Sequence, residues 1–157
     1  MVLVRGIGPE GLDIYTNVES RKGRDLAARP EAALSIWWPG LERQVRCSGA
    51  MRPLPASEAA AYFAGRPRES QLGAWASRQG APIADRGTLE ASLEAARAAH
   101  PGAVPLPPHW GGYRLRPARW EFWQGRPNRL HDRFEYLRPA GAPAEGDGPW
   151  EIRRLQP

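Results

Sequence analysis

Residues 101–108 read Pro-Gly-Ala-Val-Pro-Leu-Pro-Pro. Proline has no backbone N–H and a fixed φ, so this run is loop or extended chain and no helix or central strand can cross it. Helical patterns gather just before it. Arg21–Ala28 reads as a short helix ended by Pro30, Ser57 is placed to cap a helix running to Phe63, and residues 70–76 can form another. Thr88 is placed to cap a helix through Ala99, with Leu89, Leu93 and Ala96 on one face. Strand patterns lie on either side of this helical stretch. Residues 2–4 and 12–15 read as a hairpin around a glycine-rich turn at 6–11, and residues 32–38 and 44–51 as strands separated by Pro39-Gly40. Further strands are expected at 113–115, 120–123, 134–137 and 150–155, with 140–149 as a flexible turn. Strands flanking a helical insert, without regular βαβ alternation, predict a mainly β, α+β fold: an antiparallel barrel with helices outside it.

With 157 residues the chain suits one domain, residues 1–157, since domains commonly run to about 100–150 residues. Cys47 is the only cysteine, which excludes an internal disulfide and a cysteine-based zinc site, and no metal is expected. No apolar run reaches the roughly 20 residues that span a bilayer, and the N-terminus shows no basic segment followed by an apolar one. These features predict a cytoplasmic protein without a membrane partner. The net charge is +5, and the basic excess is almost all arginine. Guanidinium grips phosphate in a two-pronged geometry, so the excess points to an anionic partner, while a merely solvated basic face also explains it.

Several segments carry chemistry beside a plainer meaning. Gly6-Ile7-Gly8-Pro9-Glu10-Gly11 matches G-x-G-x-x-G, but a strand pattern follows where a dinucleotide site needs a helix, so it reads as a turn. Ser20-Arg21-Lys22 sets a hydroxyl and two cations at a helix start, where free N–H groups favour an anion or simply water. Tyr62, one helical turn before Arg66, joins Arg66-Pro67-Arg68-Glu69-Ser70 in a group suited to a phosphate monoester if the segment is helix-turn-helix; an exposed turn is the alternative. Residues 123–133 form the densest polar and aromatic stretch, at an expected strand connection, and His131 lies between Arg129 and Arg133. The seven tryptophans can pack in a core or stack on a flat ring. Basic residues with interleaved aromatics would also suit single-stranded nucleic acid, yet no RRM-like or KH-like signature is present, so no nucleic-acid partner is expected.

Taken in order, Tyr15-Thr16-Asn17, Ser20-Arg21-Lys22, Leu41-Glu42-Arg43-Gln44-Val45, Tyr62-Phe63 with Arg66-Pro67-Arg68, Gln71-Leu72-Gly73-Ala74-Trp75, residues 105–112, Glu121-Phe122-Trp123-Gln124-Gly125 and Arg129-Leu130-His131-Asp132-Arg133 closely resemble the pyridoxamine 5′-phosphate oxidase family. The resemblance spans nearly the whole chain. It implies an FMN-binding split barrel and a homodimer with FMN at the subunit interface, residues from about 110 to 157 forming the dimerisation region. It further implies that Tyr15, Thr16, Arg21, Lys22, Gln44, Gln79, Trp123 and Arg133 contact FMN. Arg5, Tyr62, Arg66 and Ser70 would hold the substrate phosphate, and Arg129 and His131 would lie over its pyridine ring as the catalytic pair. The implied reaction oxidises a phosphorylated vitamin B6 compound by hydride transfer to the flavin, with O2 as final acceptor and hydrogen peroxide as co-product. The family pattern begins with a helix and an arginine-led strand ahead of the position of Met1, so one FMN phosphate contact and a lid are expected to be absent. Arg5 stands where the family has lysine, and Gly80 where it has serine. Relatives in phenazine biosynthesis share much of the pattern and act on other rings.

Overall fold

The structure is a computed structural model that describes residues 1–139 and 148–157. Its elements are β1 (Val4–Gly8), β2 (Gly11–Asn17), α1 (Arg21–Ala28), β3 (Glu31–Trp38), β4 (Arg43–Pro53), α2 (Ala56–Ala64), α3 (Arg68–Ala76), α4 (Arg86–Ala99), β5 (Trp110–Gln124), β6 (Asp132–Leu137) and β7 (Glu151–Arg154). Single 3-10 turns lie at Pro39–Leu41 and Pro127–Arg129. The strands form one sheet in the order β1-β2-β5-β4-β3, with β6 added to β5 and β7 to β6. The β3–β4, β5–β6 and β6–β7 pairs are antiparallel. The chain divides into two compact units, one of residues Met1–Arg5, Ile14–Arg29 and Pro53–Tyr113, the other of Gly6–Asp13, Pro30–Arg52 and Arg114–Pro157.

The first unit holds the four α-helices of the described residues. Its core is Phe63, Leu72 and Val104, with Ala74, Trp75, Leu93, Ala96, Leu106 and Trp110 packed around them. Leu93 and Ala96 of the expected α4 face reach this core, whereas Leu89, a turn earlier, stays 38% exposed. Buried Gln71 donates to the carbonyls of Phe63 and Ala64 at 3.0 and 3.1 Å, satisfying the end of α2 from the neighbouring helix. The proline-rich connection is loop, as its composition requires, and is pinned by the Trp75 indole N–H donating to the Pro105 carbonyl at 2.8 Å.

In the second unit β3 and β4 pair from Glu31↔Ala50 to Trp38↔Arg43. A Cβ on Gly49 would lie 2.1 Å from the Arg116 carbonyl oxygen and 2.9 Å from Pro117 Cα, so only glycine lets β5 pass so close. That allowance explains one departure from expectation. The separate strands foreseen at 113–115 and 120–123 are one strand, β5, running through Pro117.

Other boundaries also differ. The first hairpin turns at Pro9-Glu10 alone, because Gly6 and Gly8 belong to β1; a Cβ on Gly6 would sit 2.8 Å from the Asp13 carboxylate, which is held by Arg114 at 2.7 Å. Ser57 is not a cap, since Pro55 occupies that position and Ser57 lies within α2. α3 likewise starts earlier than expected, at Arg68 behind Pro67. α4 begins at Arg86 behind Asp85, whose carboxylate accepts the Thr88 N–H at 2.7 Å, so Thr88 receives the cap instead of providing it. Of the turn expected at 140–149, residues 140–147 lie outside the described ones.

Candidate active site

In the first unit a cavity of about 360 Å³ is lined by Arg5, Tyr15, Thr16, Lys22, Tyr62, Arg66, Gln79 and Trp110, together with residues 1–3. Local sequence explains how each arrives there. Ser20 caps α1 by accepting the Gly23 N–H, and a Cβ on Gly23 would lie 2.1 Å from the Val18 carbonyl, so the entry turn needs glycine. The turn delivers Lys22, whose ammonium donates to Ser20 Oγ at 3.1 Å and to Gln79 Oε1. Thr16 donates to the same Gln79 oxygen at 3.1 Å. Burial lowers the Lys22 pKa from the usual lysine value. Tyr15 and Tyr62 stack at 3.8 Å between ring centroids, and a Cβ on Gly112 would strike the Tyr15 ring at 2.9 Å.

Arg66, in the turn between α2 and α3, lies over the Trp110 ring at 4.3 Å and the Phe63 ring at 5.6 Å. Its Nη1 is buried without a hydrogen-bond partner among the described residues, and so is the Trp110 indole nitrogen. Burial depresses the Arg66 pKa, Tyr62 opposes that shift and nearby Arg5 adds to it. Two residues with buried donors lacking acceptors line this cavity beside Arg5 and Lys22, a set suited to an anion.

Two expected members stand apart from this cavity. Ser70 is exposed in the first turn of α3 and does not line it. Arg21 is 91% exposed along its side chain and faces a neighbouring cavity of about 380 Å³ with Arg24, Arg78, Gln79 and Gly80. Gln79 borders both cavities, and Lys22 donates to its amide oxygen.

The second unit carries the remaining expected residues. Gln44 and Trp123 line a cavity of about 520 Å³ whose walls include Trp38, Leu41, Val45, Phe122 and Phe134, a mostly apolar surface suited to a flat ring. Trp123 packs against Trp37 at 5.8 Å and against the His131 ring at 4.7 Å. The loop that follows is tightly specified. The Gly125 N–H donates to the Glu42 carbonyl at 2.7 Å, and the Arg126 N–H donates to His131 Nδ1 at 3.2 Å. A neutral His131 in this arrangement carries its proton on Nε2. Asn128 and Arg129 have φ of 58° and 63°, left-handed conformations that store strain at the tip bearing exposed Arg129. Asp132 holds Arg126 at 2.7 Å and also pairs with Arg154. These bonds, Arg126's first, hold its carboxyl below the usual range.

Arg133 lines a further cavity of about 310 Å³ with Arg46, Cys47, Arg119 and Glu121. Glu121 is only 4% exposed and accepts from Arg133 at 2.8 Å and Arg46 at 3.1 Å. Burial would raise its carboxyl, yet the Arg133 hydrogen bond and the charges of Arg46, Arg133 and Arg119 outweigh burial and hold it below the usual range. Sequence reasoning gave no role to Trp110, Glu121 or Asp132. The signal for Asp132 was its place between His131 and Arg133; Glu121 and Trp110 gain their roles only from partners distant in sequence.

Residues 2–100 match the family profile described as pyridoxamine 5′-phosphate oxidase. The chain belongs to the pyridoxine/pyridoxamine 5′-phosphate oxidase family. Residues 110–157 match the family's C-terminal dimerisation region. Among curated members of the oxidase family, the proteins from Anaeromyxobacter dehalogenans and Burkholderia lata are 54% and 52% identical across the whole chain, which spans 76% and 72% of their lengths. Among solved structures, PhzG from Burkholderia lata in complex with tetrahydrophenazine-1-carboxylic acid superposes with a TM-score of 0.88 at 32% identity, over 99% of this chain and 73% of that one. An FMN-binding protein from Nostoc punctiforme, related to pyridoxamine 5′-phosphate oxidase, superposes with a TM-score of 0.76 at 17% identity, over 99% of this chain and 79% of that one. The fold is therefore the α+β FMN-binding split-barrel type that the sequence suggested. No helix among the described residues is long and apolar enough to cross a membrane.

Proposed function

We propose that this chain oxidises pyridoxamine 5′-phosphate or pyridoxine 5′-phosphate to pyridoxal 5′-phosphate, with FMN as cofactor and O2 as acceptor, as a cytoplasmic homodimer. The observation that carries this reading is the buried, unpartnered Nη1 of Arg66 in a cavity shared with Arg5 and Lys22, which calls for a multiply charged anion such as a phosphate ester.

The residues present fit FMN. In the first unit Lys22, Thr16 and Gln79 form one hydrogen-bonded cluster, with Tyr15 lining the same cavity and Arg21 the next one. In the second unit Gln44 and Trp123 line a mostly apolar cavity and Arg133 a further one. The matched dimerisation region supports a homodimer. When bound, FMN supplies the two-electron acceptor chemistry that side chains lack. The protein's own part is to bind and orient. Arg5, Tyr62 and Arg66 would fix the substrate phosphate, whose cavity Ser70 does not line, and Arg129 and His131 would meet a pyridine ring, His131 offering an N–H from Nε2. The left-handed backbone at Asn128 and Arg129 would preset where the Arg129 side chain leaves the loop, so less ordering would be needed on binding.

Purified protein mixed with FMN and pyridoxamine 5′-phosphate in air should form pyridoxal 5′-phosphate, and Arg129→Ala should lose most of that activity. Flavin binding without product from any B6 phosphate would defeat the reading. A second reading, oxidation of a phenazine-type ring, is favoured by the superposition on PhzG with its bound tetrahydrophenazine-1-carboxylic acid. It would show as turnover of that compound in a side-by-side substrate panel.

A further inference from the structure

Resting on the phosphate-ester reading of the first cavity, we infer that Trp110 is a specificity-determining residue, its indole N–H donating to the bound phosphate while its ring face holds the Arg66 guanidinium in place. In the sequence Trp110 is one of seven tryptophans, in the segment 105–112, with no ligand role assigned to it.

The Trp110 ring lies 4.3 Å from the Arg66 guanidinium carbon, at cation–π range. This contact uses the ring face and leaves the N–H, which lies in the ring plane, for another partner. That N–H is buried and has no acceptor among the described residues, although buried indole N–H groups ordinarily find one. Trp110 and Arg66, which carry the two orphan donors, both line the same cavity. Arginine, lysine and indole donors have no acceptor capacity. An oxyanion with several acceptor oxygens is the ligand that relieves all of them, and neutral B6 alcohols lacking the phosphate cannot. Phe63, which meets Trp110 edge-on at 5.7 Å, fixes the indole from the core side. Because Ser70 does not reach the cavity, the indole N–H supplies a neutral donor there that Ser70 does not.

The test uses the FMN-loaded full chain with pyridoxal 5′-phosphate and pyridoxal as probes. Trp110→Phe keeps an aromatic face beneath Arg66 and the contact with Phe63 but removes the donor. Its affinity for pyridoxal 5′-phosphate should fall about tenfold or more, the scale of a hydrogen bond to a charged group, while its affinity for pyridoxal is unchanged. Trp110→Leu, which also removes the face, should lose more. In a ¹⁵N-labelled sample the indole resonance missing from Trp110→Phe should shift on adding pyridoxal 5′-phosphate to the wild type and stay in place with pyridoxal. Equal affinities of wild type and Trp110→Phe for pyridoxal 5′-phosphate, an equal loss for both probes, or an unmoved resonance would overturn the inference. If the wild type itself binds pyridoxal 5′-phosphate no more tightly than pyridoxal, the phosphate subsite fails, and the role of Trp110 fails with it.

Discussion

Both units of this chain are rich in arginine around their cavities, but the arginines are used in opposite ways. In the first unit Arg66 is stacked on aromatic rings with a buried donor left over, and Arg5 and Lys22 share its cavity without a carboxylate among the lining residues. In the second, Arg46, Arg119 and Arg133 converge on buried Glu121, and Arg126 and Arg154 on Asp132. A cation held by aromatic faces keeps its hydrogen-bonding capacity for a ligand, whereas one bound to a carboxylate spends much of it on shaping the backbone. The first unit is thus arranged to take up charge and the second to hold loops and strands in register.

The largest expected effect breaks the binding side of this contrast. Arg66→Met keeps a long apolar stem over Trp110 but removes the charge and its donors. We expect kcat/KM for pyridoxamine 5′-phosphate to fall on the order of a thousandfold, from the loss of charge-assisted bonds in a desolvated site. Turnover of unphosphorylated pyridoxamine should change little. An equal drop for both compounds in steady-state assays would make Arg66 a packing residue.

Glu121→Gln tests the structural side. It leaves half-exposed Arg46 and quarter-exposed Arg133 with a neutral partner, which should cost about 1–2 kcal/mol of stability. Urea unfolding at neutral pH measures this. The pH dependence has a definite sign. The folded carboxyl titrates below its unfolded value of about 4.3, so its contribution is fully present above that pH and is lost as pH falls through the lower folded value. Wild-type stability should therefore drop in this acid range more steeply than that of Glu121→Gln. Parallel curves would mean that Glu121 is not held by its arginines in solution.

Where the causes were local, the sequence was informative. Ser20 and Pro30 bracket α1, and the helix occupies Arg21–Ala28 as expected, because a cap and a proline stop act within one turn. The cluster of Tyr62 and Arg66 was legible for the same reason. What escaped notice depends on neighbours far along the chain. Pro117 lies inside a strand because Gly49, 68 positions earlier, leaves room for it. Trp110 takes its role from Arg66, which reaches its ring face from a distant part of the chain. Arg21 and Lys22 differ in outcome although adjacent, since about 100° of helical rotation separates neighbours and sends them to different cavities.

The smallest expected effect sharpens the comparison at the loop of the second unit. Asn128 has φ of 58°, a conformation that asparagine tolerates better than most residues and glycine adopts freely. Asn128→Gly relieves steric strain in the folded loop but widens the choices of the unfolded chain, so the two terms oppose and stability should move by no more than about 1 kcal/mol. Catalysis should respond more than stability does. If the preset backbone aims Arg129, a freer Asn128→Gly loop must be ordered on binding, and KM for pyridoxamine 5′-phosphate should rise about twofold to fivefold with kcat nearly unchanged, within the cost of ordering one segment. An unchanged KM would show that the hydrogen bond from the Arg126 N–H to His131 and the pairing of Arg126 with Asp132 already fix the loop without help from backbone strain.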